Sequence, residues 1–165
     1  MNVEKLLYEK LVGIFTEMLS GIGCAVSGNR LDFDELFDDD GSPIADRHLE
    51  VNVGNRAYDG YTAAKMTIAV SLDARIRPEG YAGNEDIAIH DLITAKLEEY
   101  QKSLAAVQRD FMLDLTPSTS TSTSTLYFIP RGFKLDGGQL TKETGSKTRV
   151  FNFSFTLKAT LNQRN

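Results

Sequence analysis

The chain has 165 residues, 41% of them apolar and 25% charged, with a net charge of -5 and one cysteine. That length and composition suit a single domain over 1–165, with a core that needs neither disulfide nor metal. One cysteine excludes an internal disulfide, the acidic balance argues against a general nucleic-acid binder, and no stretch approaches the run of about 20 apolar residues that a membrane span requires.

The first predicted element is an amphipathic helix over 3–20. Asn2 is its N-cap, Glu4 favours the positive end of the helix dipole, and Leu7, Leu11, Ile14 and Met18 recur at helical spacing. Because Glu4 and Glu9 interrupt the apolar positions, the segment does not read as a secretory leader, and synthesis and folding in the cytoplasm are expected. Gly21-Ile22-Gly23 ends the helix, and Cys24 after it reads as a small core hydrophobe.

Residues 28–47 read as irregular and acidic, with Leu31, Phe33, Leu36 and Phe37 set among the acids. Leu49, Val51 and Val53 alternate with His48, Glu50 and Asn52, which predicts a short half-buried strand. A polar connection over 54–62 leads to a longer alternating strand whose apolar positions are Met66, Ile68, Val70, Leu72, Ala74 and Ile76. Asn84 caps a second helix, with Ile89, Leu92, Ile93, Leu97, Tyr100 and Leu104 on one face. Phe111, Leu113 and Leu115 then alternate as a strand that stops at Pro117.

The Ser and Thr run 118–125 reads as a flexible loop, and 126–135 as a strand in which Pro130 implies an edge position or a bulge. A polar loop over 136–148 follows. In the last strand Phe151, Phe153, Phe155, Leu157, Ala159 and Leu161 point one way, and Asn152, Ser154, Thr156, Lys158 and Thr160 the other. The expected fold is α+β: a mainly antiparallel sheet with two principal helices packed on it, in the order α-β-β-α-β-β-β.

No catalytic constellation stands out. The chain lacks a Gly-rich phosphate loop, a G-x-S-x-G elbow and an H-E-x-x-H pair, and one Cys with two His cannot make a Cys/His zinc site. His48 and His90 could each act as a base, but both read more simply as solvated or partly packed. The Glu98-Glu99 pair points in different directions on its helix. Asp38-Asp39-Asp40-Gly41 resembles part of a calcium loop, yet that register would put Leu36 at the first ligand position and Arg47 at the bidentate one. No enzyme activity, metal or cofactor is expected, although an enzyme or a small cytoplasmic binding module remains the alternative.

Charge is unevenly spread. Residues 28–60 carry three basic and nine acidic side chains, and residues 126–165 carry seven basic and two acidic. Opposite patches on one chain can join copies head to tail and set their register. The candidate contact residues are Asp38, Asp39 and Asp40 on the acidic side, and Arg131, Lys134, Lys142, Lys147 and Arg149 on the basic side.

The element order resembles that of the tail terminator (tail completion) proteins of long-tailed bacteriophages. The likeness lies in the opening helix, the two strands ending at Arg77-Pro78, the helix 84–104, and three closing strands with the run Phe151-Asn152-Phe153-Ser154-Phe155. The acidic segment 31–47 is longer than the family pattern. The resemblance implies a structural virion protein of the tail and neck, forming a ring of typically six copies. Such a ring would cap the tail tube protein and meet the head-neck connector or stopper, and DNA would pass through without sequence reading.

Overall fold

In a computed structural model, the described residues are 2–28, 47–60, 64–76, 85–119, 121, 124–142 and 149–164, with side chains undescribed at 85, 86, 140–142 and 149. The elements are α1 (Val3–Leu19), β1 (Ala25–Ser27), β2 (Arg47–Val53), β3 (Ala57–Tyr58), β4 (Lys65–Ile76), α2 (Glu85–Lys102), α3 (Leu104–Phe111), β5 (Leu113–Asp114), β6 (Thr125–Lys142) and β7 (Arg149–Arg164). The fold is α+β, as the alternation implied, with a mostly antiparallel sheet in the order β1-β2-β4-β7-β6-β5 and β3 paired to β4.

α1 forms where expected. Asn2 Oδ1 accepts from the Lys5 amide at 2.9 Å, which satisfies one of the free donors of the first turn. Its buried stripe is Val3, Leu7, Leu11, Phe15 and Leu19, a straight i+4 series. Ile14 and Met18, expected on that stripe, lie half-buried at its margin. A 3-10 turn (Ser20–Ile22) then closes on Gly23, whose φ of 69° is the left-handed conformation that a glycine reaches without strain.

The two longest predicted strands hold. β4 and β7 pair antiparallel from Lys65↔Thr160 to Ile76↔Arg149. One face of the pair is apolar and buried: Met66, Ile68, Val70, Leu72 and Ala74 on β4, and Phe151, Phe153, Phe155, Leu157 and Ala159 on β7. Each of these side chains larger than alanine contributes roughly 1.5–3 kcal/mol when fully buried, so this face dominates the stability of the sheet. The helices cover it, and their buried residues join the same cluster.

Several expectations need correction. The expected order omits β1 and β3, and among the described residues a short third helix, α3, follows the two principal ones. The helix expected over 84–104 ends at Lys102, and Ser103 starts a new one, its side chain accepting from the Ala106 amide at 3.2 Å. Phe111 closes α3 and does not begin a strand, because its ring packs on Tyr100 with centroids 5.0 Å apart. Leu92 and Leu104, placed on the buried face, are exposed. The stretch read as a polar loop from 136 is strand as far as Lys142, held by pairing with β7. The connection 54–62 contains β3. The reading of Pro130 holds on both counts: it lies past the short β5 pairing, and the register shifts between Pro130 and Gly132. The helix cap expected at Asn84 and most of 28–47 fall outside the described residues, and no described helix is long and apolar enough to cross a membrane.

Candidate functional site

Two regions of the sheet carry polar groups in positions that packing alone does not require. The first is the outer strand β6. Arg131 and Lys134, two of the candidate contact residues, are exposed on it. Lys134 Nζ lies 3.1 Å from Asp136, whose carboxylate also accepts from Thr156 Oγ1 at 2.6 Å. These contacts, the Thr156 hydrogen bond first, hold the Asp136 carboxyl below its ordinary value. At the far end of the ribbon the register sets Lys142 directly opposite Arg149. The structure thus brings these two together and leaves Arg131 and Lys134 further along the same strand. Asp38, Asp39, Asp40 and Lys147 lie outside the described residues.

β5 pairs with β6 at Tyr127 and Phe128, and the Leu115 amide just after it donates to the Leu126 carbonyl. Beyond that point, two helix side chains reach the backbone of β6. Gln108 Nε2 donates to the Pro130 carbonyl at 3.4 Å, and Gln101 Oε1 accepts from the Leu135 amide at 2.7 Å. From Asp136 to Gln139 the side-chain positions are exposed.

The second region was not legible in the sequence. Alternation places His48 and Glu50 on the face of β2 away from the helices, where solvation was expected. His48 is instead 1% exposed and Glu50 8%. Register explains the grouping: Glu50 lies opposite Asp73, which lies opposite Asn152, and His48 lies opposite Arg75. Asn152 Nδ2 donates to Asp73, Asn52 Nδ2 donates to Glu50 Oε1 at 2.9 Å, and Arg75 meets Glu50 Oε2 at 3.4 Å. On the other side of β2, Ser27 Oγ lies 2.7 Å from His48 Nε2. Arg47, on the helix-facing side, donates to the Ile22 carbonyl.

Ser27 and His48 have the spacing of a nucleophile and its base, but the third group is missing. His48 Nδ1 is buried with no hydrogen-bond partner, so no carboxylate orients the ring or stabilises an imidazolium. Burial pushes the His48 pKa below its ordinary value; Glu50 opposes that shift and Arg75 adds to it. A neutral imidazole in that setting is a poor proton shuttle.

The remaining candidates are packed or paired. The Cys24 thiol is buried, and burial pushes it up to about 11, against smaller opposing effects of Arg47 and the Leu49 backbone; at neutral pH it is a thiol, not a nucleophile. The His90 ring leans on Phe151 and Phe153, with centroids 5.1 and 5.5 Å away. Glu98 and Glu99 are engaged in ion pairs with Lys102 and Lys96. Among the described residues no cluster of three metal-ligating side chains occurs. An open groove of about 570 Å³ separates α1 from α2 and α3, lined by Ile14 and Met18 with Lys10, Glu17, Lys96, Arg109 and Asp110 around them. No protein-family model matches the chain, and no curated protein matches it at a significant level.

Proposed function

We propose that the chain is a structural subunit that joins copies of itself into a ring at the end of a tubular polymer, in the manner of the phage tail terminators it resembles. On this reading a ring of about six copies, the family's usual number, caps the tail tube protein and presents a surface to the head-neck connector or stopper. It would act in the virion after synthesis in the host cytoplasm, and DNA would cross its lumen without being read.

The observation that carries the reading is the length of the outer ribbon. β6 and β7 span 18 and 16 residues, far beyond the five or six typical of a strand in a globular domain. Most of β6 has no strand on its outer side among the described residues. Its exposed positions include Arg131 and Lys134, and Lys142 lies opposite Arg149 at its end. A long outer strand with basic residues is suited to meet a neighbour's edge or an acidic surface. The acidic stretch 32–46 is the candidate counterpart in sequence.

The test is assembly of the purified protein. Rings in electron micrographs, or co-sedimentation with a polymerised tube protein, are the expected results. A species that stays monomeric at high concentration and ignores the tube protein would overturn the proposal. Reversal of Asp38, Asp39 and Asp40 to Lys should weaken ring formation, and more so at low ionic strength.

A further inference from the structure

β1 is a short strand at the β2 end of the sheet. It is three residues long, pairs in parallel with β2 and with no other strand among the described residues, and is half-buried throughout. Three ladder positions offer little cooperative strength, and α1 supplies its other packing. Its last residue, Ser27, is tied by its hydroxyl to the ring of His48, the residue that the register sets beside Ala25.

The ring's two nitrogens are in unlike positions. Nε2 has the Ser27 hydroxyl at 2.7 Å, and Nδ1 is buried without a partner. A neutral ring tolerates this: with the proton on Nε2 donated to Ser27 Oγ, Nδ1 is a bare acceptor, the cheaper kind of buried orphan. A protonated ring cannot, because Nδ1 becomes a charged donor with nothing to receive it. Among the described residues the charged groups facing His48 are Glu50 on its own strand and Arg75 on β4, while β1 contributes no charge; Arg47, its chain neighbour, lies on the opposite face of β2. Glu50 is already shared by Arg75 at 3.4 Å and Asn52 at 2.9 Å, so its capacity to compensate a third donor is reduced.

We propose that His48 is a protonation-sensitive latch for β1: the neutral ring holds Ser27 and keeps β1 on the sheet edge, and protonation releases β1 so that water can reach the ring. The buried ring can be solvated either by unfolding the core or by opening the short edge strand that holds its Nε2. Opening β1 breaks three parallel pairings, whereas the antiparallel pairing of β2 with β4 covers seven positions. Release would leave the β2 edge unpaired, a surface that another strand could join. The latch does not depend on the assembly reading and can be tested on the isolated chain.

The sign follows from the lowered folded value. Above the ordinary histidine value of about 6.5, the ring is neutral both latched and released. As pH falls below it, the released ring takes up a proton that the latched ring refuses, so release becomes favourable. The measurement is hydrogen exchange by mass spectrometry at pH 7.5 and 5.5, corrected for intrinsic rates, in wild type and His48→Gln. In wild type, protection over 25–27 should fall at least fivefold at pH 5.5, with β4 and β7 unchanged. His48→Gln should show equal protection at the two pH values. Equal protection of β1 in wild type, or a fall shared by β4 and β7, overturns the latch; so does a pH step that persists in His48→Gln.

Discussion

The junction of α2 and α3 permits a quantitative test of charge in this fold. Asp110, on α3, receives three contacts: Arg109 Nε at 2.9 Å, Tyr100 Oη at 2.8 Å and Lys96 Nζ at 3.2 Å. Burial works against its charge, but the hydrogen bonds from Arg109, Tyr100 and Lys96 outweigh that, and the carboxyl is held at about 2. Its side chain is 16% exposed, so solvent screening is partial, although the Arg109 side chain is 68% exposed. The gap from the ordinary 3.8 to about 2 is worth about 2.5 kcal/mol at about 1.4 kcal/mol per pH unit, which we reduce to about 2 kcal/mol for the exposed arginine. Asp110→Asn keeps one acceptor, for Tyr100 and Lys96, but removes the charge and the oxygen that accepts from Arg109. Urea melts at pH 7 should therefore place the variant about 2 kcal/mol below wild type. Asp110 is depressed, so its contribution is complete above pH 4 and is lost as the unfolded state protonates between about pH 4 and pH 2. The gap between the two proteins should narrow over that interval. A gap of equal size at pH 7 and pH 3 would show that packing, not charge, sets the loss, and no gap at pH 7 would refute the reasoning outright.

Two further substitutions probe packing and capping. Phe155 is 1% exposed and its ring stacks on Phe133 at 4.9 Å, so Phe155→Ala should destabilise by about 3–5 kcal/mol in the same urea assay; a loss under about 1 kcal/mol would mean that the site is not a filled core position. Ser103→Ala removes the acceptor for the Ala106 amide and should lower stability by about 1 kcal/mol. A stabilised Ser103→Ala variant, with α2 and α3 fused by continuous helical exchange protection, would show that the break is not set by the cap.

What was legible follows from the physics of each signal. The strands β4 and β7 announced themselves because one face of each lies against helices, which forces strict alternation over many residues. β1 and β3 have three and two residues, too few for any period to register. The end of β6 contains Gly137-Gly138 and few apolar groups; its strand conformation comes from the facing β7, through a register shift between Leu135 and Gly137, and not from its own pattern. Phe111 satisfies both periods, alternating with Leu113 and Leu115 and lying four residues from Val107. Contact with Tyr100 decided for the helix. The break at Ser103 carried only a weak signal, a serine without glycine or proline beside it. The buried polar row was hidden for a different reason. Alternation identifies the face of β2 that carries His48 and Glu50, but Ser27, Asp73, Arg75 and Asn152 are brought beside them by pairings of long sequence separation.

The two edges of the sheet are unlike, and that difference bears on how copies could join. On one side β6 is long, and helix side chains from Gln101 and Gln108 take up backbone groups at Leu135 and Pro130. On the other side β1 is short and tied to the body through Ser27 and His48. An isologous pair needs one self-complementary patch, whereas a closed ring needs two different patches whose rotation closes. A sheet with one long basic edge and one short, releasable edge supplies two different patches. The latch would also answer the hazard that any open edge poses, because a strand that covers β2 until a proton or a partner displaces it keeps that edge from pairing indiscriminately. On this argument ring formation should be coupled to the exchange of β1. Its amides should exchange differently in free and assembled protein at one pH, while those of β7, in the middle of the sheet, stay equally protected in the two states.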